Sequence, residues 1–559
     1  MKRILRFVVI GVVALCILFS LALWFASSFV NPNEYKPQII AAVKNATGRD
    51  LKLHGDLGLS LFPGVSVQSG RVELSQDAAF GTSPLISIEK IKAHLAVFPL
   101  LFGTVKIGEV TLEGVTCNLI VAKDGRANWE MQPAGAPAAP KAEATAKDAA
   151  SVKAPELQID ELSFKNIRIN YKNLAGGDDI TAVIETLKLT DLMPGKKSAF
   201  SLACSYSDNT TKQNLKLNLD GAIQIPASPL TGPFHFSAKG KLDATTLAAD
   251  ITFALNMGAK GIAPDVQGKI QIGELNIDKY TQSQGDRQDK AAPPAAKPAQ
   301  KQGEAKKTDL SALRTLSMKL HVAMESLVVA KTPLRNIKAD IVADKGLITI
   351  SPFTLTLGDG LLDGKASLDA RKAIALIATD GAIKNVKVDR ILKDRGDKQA
   401  VSGEFDAQWN ITGSDIDWPA LSRSLQGNAA LRFRNGLIPG FQIIPQGISG
   451  IPAKRQDIQI THCNADWRID KGVATSNNLD ILATGITVTG GGKIVIPENT
   501  LEYRLDISMP AIPVIPAKIA GPLDSPSYSV DSGEFLKNTA KDSGKILEGV
   551  KSIFGGGKK

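Results

Sequence analysis

From Leu51 almost to the C-terminus, apolar and polar residues alternate with a period of two. Leu51-Lys52-Leu53, Leu57-Gly58-Leu59-Ser60-Leu61 and Val65-Ser66-Val67 open the pattern. Leu215, Leu217 and Leu219 then alternate with Lys216 and Asn218, and Ile348, Ile350, Phe353, Leu355 and Leu357 run across Pro352. Leu501, Tyr503, Leu505 and Ile507 alternate with Glu502, Arg504 and Asp506. Successive side chains of a strand point to opposite faces, so this pattern predicts strands with one apolar and one polar side. The expected fold is mainly β, an elongated curled antiparallel sheet or groove. Short helices are expected at 310–316, 388–393 and 419–425.

The chain begins differently. Residues 7–30 read FVVIGVVALCILFSLALWFASSFV, without a charge. That exceeds the ~20 apolar residues a helix needs to cross a bilayer core. Lys2, Arg3 and Arg6 precede the run and no acid appears before Glu34. The positive-inside rule then places the first residues in the cytoplasm and the bulk of the chain across the membrane. A cleaved signal peptide is the alternative, with Ala26-Ser27-Ser28 as a cleavage site, but its apolar region usually spans only about 7–15 residues. Beyond the run, Asn33 reads as an N-cap, Tyr35, Ile39, Ile40 and Val43 as one helical face, and Gly48 as the stop.

A spacing recurs within the strand region. Ile107, Val110, Leu112, Val115, Cys117 and Leu119 are spaced as Ile159, Leu162, Phe164, Ile167, Ile169 and Tyr171 are, with shorter echoes at Ile272, Leu275 and Ile277 and at Ile383, Val386 and Val388. Either similar hairpins add to one sheet, or a β-rich chain has produced the match by chance. Two stretches break the rhythm, 133–153 and 282–307, both rich in Ala, Pro and Lys, and these read as flexible linkers. The tail at 534–554 returns to a helical period. Phe535, Leu536, Ala540, Ile546, Leu547, Val550 and Phe554 broadly share one side and lysines lie elsewhere, which fits a basic helix on lipid or a lid on the last strands equally.

Charge and motifs narrow the function. The formal net charge of +10 suits an anionic lipid surface. It suits nucleic acid poorly, because the basic residues are dispersed. Cys117, Cys204 and Cys463 are too far apart for a disulfide framework or a zinc site and read as buried small hydrophobes. The histidines (His54, His94, His235, His321 and His462) are isolated from one another. Gly490-Gly491-Gly492-Lys493 lacks the Ser/Thr and the following helix of a phosphate loop. Gly358-Asp359-Gly360 reads as a hairpin turn, as does Gly176-Gly177-Asp178-Asp179. No catalytic, metal or cofactor site is expected, and an enzyme is not expected.

Several segments together resemble the AsmA family of Gram-negative envelope proteins. They are Asn31-Pro32-Asn33-Glu34-Tyr35-Lys36-Pro37, Thr47-Gly48-Arg49, Leu53-His54-Gly55-Asp56-Leu57 through Phe62-Pro63, Phe98-Pro99-Leu100-Leu101-Phe102-Gly103 and Asp124-Gly125-Arg126-Ala127-Asn128-Trp129. Later segments at 309–316, 358–368, 425–436, 485–496, 501–507 and 519–523 are similar to the family's C-terminal region, whereas 157–281 matches more loosely. The expected division is a cytoplasmic tip and transmembrane anchor (1–30), an N-terminal β region (31–131), a linker (132–154), a middle β region (155–281), a second linker (282–308), a C-terminal β region (309–531) and a basic tail (532–559). The resemblance implies a single-pass inner-membrane anchor, a periplasmic body with an apolar groove, and a role in outer-membrane assembly and lipid homeostasis.

The expected partners are phospholipid acyl chains, the inner membrane and outer-membrane or envelope proteins, with no nucleic acid. Leu215, Leu217, Leu219, Leu501, Tyr503, Leu505 and Ile507 are the candidate lipid-groove residues. The same alternation also fits a closed sandwich core. A second function class fits as well, a non-conducting assembly factor that acts on outer-membrane protein insertion through protein contacts.

Overall fold

The computed structural model describes residues 32–60, 65–96, 106–130, 158–227, 232–258, 261–281, 310–397, 401–442, 455–510 and 512–541. The apolar run at 7–30, both linkers and the tail beyond 541 lie outside the described residues. Among the described residues, no helix is long and apolar enough to cross a membrane. The chain divides into two units, Met1–Leu255 with Tyr280–Pro293, and Asn256–Lys279 with Pro294–Lys559.

In the first unit a 3₁₀ turn, Pro32–Tyr35, leads into helix α1 (Lys36–Thr47). Asn33 does not cap this helix. Tyr35 is the N-cap residue, and the Asn33 side chain accepts the Leu57 N–H at 2.9 Å instead. Gly48 ends α1 with φ 71°, its N–H donating to the Lys44 carbonyl, because a residue without Cβ takes the left-handed cap freely. The strands are β1 (Leu51–Leu53), β2 (Gly58–Ser60), β3 (Val65–Ser69), β4 (Val72–Leu74), β5 (Ile86–Ala96), β6 (Lys106–Val121), β7 (Gln158–Asn173), β8 (Asp178–Leu192), β9 (Lys197–Asp208), β10 (Gln213–Gln224), β11 (Phe234–Leu242) and β12 (Thr245–Gly258). The short strands pair as β1–β4–β5 and β2–β3–β5, and from β5 to β12 each strand pairs with the next.

The second unit continues with β13 (Gly261–Asn276), β14 (Ser317–Val329), β15 (Thr332–Asp344), β16 (Leu347–Leu357), β17 (Gly360–Asp369), β18 (Leu376–Lys387), β19 (Ser402–Ser414), β20 (Gln426–Gln442), β21 (Arg455–Asp470), β22 (Val473–Ala483), β23 (Ile486–Val495), β24 (Thr500–Met509), β25 (Ile512–Pro522) and β26 (Ser527–Val530). Here too each strand pairs with the next in sequence, in an open sheet. Helices α2 (Val388–Arg395), α3 (Trp418–Ser424) and α4 (Ser532–Lys541) pack on β15, β19 and β25. They fall at or within a few residues of where the sequence places helices, while 310–316 forms only a 3₁₀ turn, Ser311–Arg314.

The repeated spacing has a different cause from the one expected. The two six-residue sets lie side by side in parallel, with Ile107 opposite Ile159, Leu112 opposite Phe164, and Leu119 opposite Tyr171. They are not successive hairpins. β13 and β14 repeat the arrangement, Ile272 lying opposite Met324 and Leu275 opposite Leu327. Parallel neighbours need a crossover of a dozen or more residues, and each Ala/Pro/Lys segment falls at such a crossover.

The three-residue step between Phe164 and Ile167 marks an extra residue that β6, β7 and β8 share in register, the ladder shifting only between β8 and β9, at Ile184 and Thr186. Asn166 takes φ 54° there, and Gly114 takes φ 67° at the matching place in β6. One extra residue bends the strand and keeps both apolar neighbours on the same face. Asn336, Asn385 and Asn435 hold the same conformation inside β15, β18 and β20, which curls the sheet repeatedly in the same sense of twist. Gly358 and Asp359, at φ 51° and 63°, form the tight turn between β16 and β17 that the glycines announce.

Candidate functional site: apolar rows across the sheet

Residues opposite one another in a ladder point to the same face, so the registers define rows that run from strand to strand. In the first unit one such row joins Ile91, Leu112, Phe164, Leu187, Leu202 and Leu219, and passes over Gly240 to Leu247. Leu217 belongs to the next row with Ile167, Ile184, Cys204 and Leu242. Leu215 belongs to a third with Cys117, Ile169, Ala182 and Tyr206.

The second unit repeats the design. Val386, Phe405, Phe433, Cys463, Ile481, Val488, Ile507 and Ile515 face one another in sequence from β18 to β25. Leu501 ends another row through Ile494, Ala474, Ile469 and Ile411. At ~4.8 Å between strands, a row across eight of them is on the order of 34 Å long.

Val386, Ile469 and Ala474 are buried at single points of these rows, but most of their members are only partly covered. Leu215, Leu217, Leu219, Leu501 and Ile507 are half-buried, as are Phe164, Phe405 and Phe433. Tyr503 and Leu505 are the more covered pair, at 8% and 9% exposure. Each strand packs chiefly on its ladder neighbours rather than on a second layer. A closed sandwich would bury these inward residues fully. The sequence-derived residues thus fall on apolar rows, 215–219 in the first unit and 501–507 in the second.

The opposite face is charged and laced laterally. Lys92 meets Glu109 at 3.0 Å and Lys188 meets Glu161 at 3.0 Å in the first unit. In the second, Asn410 donates to Asp380 at 2.8 Å, Asn478 to Asp466 at 2.6 Å, and Lys518 meets Glu502 at 2.8 Å. Glu109 is held below its ordinary pKa by the Thr111 hydroxyl and Lys92, and Asp466 by Arg432 and then Asn478. A hollow of about 970 Å³ opens on this charged face, lined by Asp363, Lys365, Asp380, Asn410, Asn428 and Arg468 among others. Pro352, Leu361, Ala382 and Ala430 also line it, so the hollow offers both polar and apolar surface.

Two tryptophans flatten the apolar face. A Cβ on Gly381 would lie 2.6 Å from the Trp409 ring, so the absent side chain is what lets that ring lie down, and its Nε1–H donates to Thr379 at 3.0 Å. Trp467 Nε1–H donates to the Tyr503 hydroxyl at 2.6 Å over Ser476 and Gly492. Burial raises the Tyr503 phenol pKa. Gly490-Gly491-Gly492 is therefore a strand that accommodates Tyr503 and Leu505, which stand opposite Gly492 and Gly490.

Four of the five histidines make lateral contacts: His54 with Glu73 at 3.2 Å, His321 with Asp340 at 2.7 Å, His462 with Asp480 at 2.7 Å and His235 with Thr252 at 2.9 Å. Cys117, Cys204 and Cys463 are half-buried within the apolar rows, and desolvation raises each thiol. Among the described residues, no group of three or more His, Cys, Asp or Glu is placed to hold a metal ion. Phe164, Phe405, Phe433 and Trp467 were not foreseen as part of the floor. A signal for Phe164 existed: Phe164-Lys165-Asn166-Ile167-Arg168, Leu334-Arg335-Asn336-Ile337-Lys338 and Ile383-Lys384-Asn385-Val386-Lys387 share one apolar-basic-Asn-branched-basic pattern.

The chain matches the family model for the AsmA family over residues 1–181 and 179–479. It is also similar to Protein AsmA of Escherichia coli (strain K12), at 20% identity over 582 aligned residues that cover 92% of each chain. No solved structure matches it.

Proposed function

This chain belongs to the AsmA family, and from that premise we propose that it is an inner-membrane-anchored periplasmic protein that binds or conducts phospholipid acyl chains for outer-membrane assembly and lipid homeostasis. Moving a lipid through water costs about 0.8 kcal/mol for each CH₂ exposed. A continuous apolar row lowers that cost, and the charged opposite face keeps the carrier in water. The half-buried Phe405–Phe433–Cys463–Ile481–Val488–Ile507 row carries the proposal, because its side chains have ladder neighbours but stay half-exposed among the described residues. The uncharged run at 7–30 supports the anchor, and Lys2, Arg3 and Arg6 before it support the side of the membrane.

Photo-crosslinking in cells from positions 217 and 507 tests this reading. Lipid adducts at both are the expected result. Adducts to protein alone would replace the carrier with a non-conducting assembly factor.

A further inference from the structure

We propose that helix α1 and the adjoining Trp129 loop form a rigid seat lying in the lipid–water interface, which holds the first strands of the sheet against the membrane surface. The inference rests on the membrane-anchored reading above and deepens it.

Helix α1 carries two apolar stripes, not one. Ile40 and Val43, with Lys36 and Thr47, are half-buried and face β1. Tyr35 and Ile39 are turned outward, at 55% and 40% exposure, and Ala42 and Ala46 continue that side at helical spacing. The expected single face thus splits, leaving a second stripe that no described residue covers.

The helix is fixed at both ends. Lys36 Nζ donates to the Gly55 carbonyl at 2.7 Å, Lys44 meets Asp50 at 2.6 Å, and Arg49 Nη2 donates to the Asn128 and Glu130 carbonyls at 3.1 and 3.4 Å. Asn128 is fully buried, accepting the Ile120 N–H at 2.9 Å and donating to Gln76 at 2.8 Å and to the Asn118 carbonyl at 2.7 Å. That network holds the loop while leaving Trp129 39% exposed, 6.3 Å from the Tyr171 ring, with Leu174 53% exposed nearby in the chain from Tyr171.

A lipid interface is the occupant that these features fit. Helix α1 starts at Lys36, a few residues after the uncharged run ends at Val30. Even fully extended, that link reaches only about 20 Å, so a bilayer holding the run must lie close to the helix. Trp and Tyr favour the headgroup level, where ring and polar tip are both satisfied. Pinning an exposed apolar stripe rigidly serves such a surface.

The test uses the full chain in phosphatidylethanolamine–phosphatidylglycerol vesicles, with native cysteines replaced. Spin labels are placed at Ile39→Cys and Ala42→Cys on the stripe, and at Gln38→Cys and Asn45→Cys beside it. The expected result is a several-fold higher ratio of oxygen to nickel-chelate accessibility at 39 and 42 than at 38 and 45. Equal aqueous accessibility at all four overturns the seat, and so does shielding of position 39 from both reagents, which would indicate a covering protein. Because lipid adducts at 217 and 507 are read separately, an aqueous helix with intact adducts refutes the seat alone.

Discussion

The indole N–H of Trp467 on β21 donates a 2.6 Å hydrogen bond to the hydroxyl of Tyr503 on β24, across the two strands between them. Their backbones are on the order of 14 Å apart, so both rings must lie along the sheet instead of standing off it. Ser476 and Gly492, the residues beneath, are small enough to permit this. The apolar face gains a smooth aromatic patch, with its polar atoms satisfied among themselves.

Removing that bond leaves the geometry but not the pairing. Tyr503→Phe is expected to cost about 1 kcal/mol, the usual net worth of one hydrogen bond. Gly492→Val should cost more, about 1–3 kcal/mol, because the added methyls push into the Tyr503 ring and its backbone. Denaturant unfolding of the two variants beside the parent chain measures both.

A charge on an apolar row should stop lipid without unfolding the sheet. Leu217→Asp places a carboxylate among Cys204 and Leu242, its ladder partners, and lipid adducts at position 507 or lipid transfer in vesicles should fall several-fold. Asn218→Asp puts the same charge on the exposed face and should change neither. Equal effects from both would remove the apolar face from the mechanism.

The mid-strand asparagines can be tested for backbone strain. Asn166 holds φ 54° inside β7, a conformation that costs an ordinary L-residue roughly 1–2 kcal/mol. Asn166→Ala should therefore destabilise by about 1 kcal/mol, whereas Asn166→Gly should be close to neutral. Paired thermal melts distinguish this from loss of a side-chain contact, which would penalise both.

Acid should loosen the charged face. Asp466, Glu109 and Glu502 titrate below their ordinary values because of Arg432, Thr111 with Lys92, and Lys518 respectively, and Arg371 lowers Asp369 to about 2. In Asp406, burial works upward, but the Asn385 N–H and the Arg434 guanidinium outweigh it and leave the carboxyl depressed. A depressed folded-state pKa stabilises the fold above the unfolded value of about 4. That stability disappears as pH falls through the folded values. Melting temperatures should drop between about pH 4.5 and 2, and Asp466→Asn should flatten the slope.

Much of the fold is written locally. Alternation at Leu215–Leu217–Leu219 and Leu501–Tyr503–Leu505–Ile507 already divides apolar from polar faces, since a strand's side chains take turns by simple geometry. Turns such as Gly358-Asp359 are equally local, because the residue that tolerates positive φ sits at the turn itself. Helix α1 is read correctly as a helix, but its apolar residues are assigned to one face when Ile40 and Val43 pack and Tyr35 and Ile39 do not.

What alternation could not supply is the neighbour. That Ile107 runs parallel to Ile159 across a linker, or that Phe405, Phe433, Cys463 and Ile481 line up with Ile507, depends on the register between strands, which no single strand's pattern carries. The sequence alone determined that the chain would form strands with one oily side and a helix at its start. Only the tertiary structure decided the order and sense of the strands, the continuity of the rows and how much of them the described residues leave uncovered. Which face a residue takes is settled by its own backbone, but what lies beside or above it is settled by contacts between separate strands.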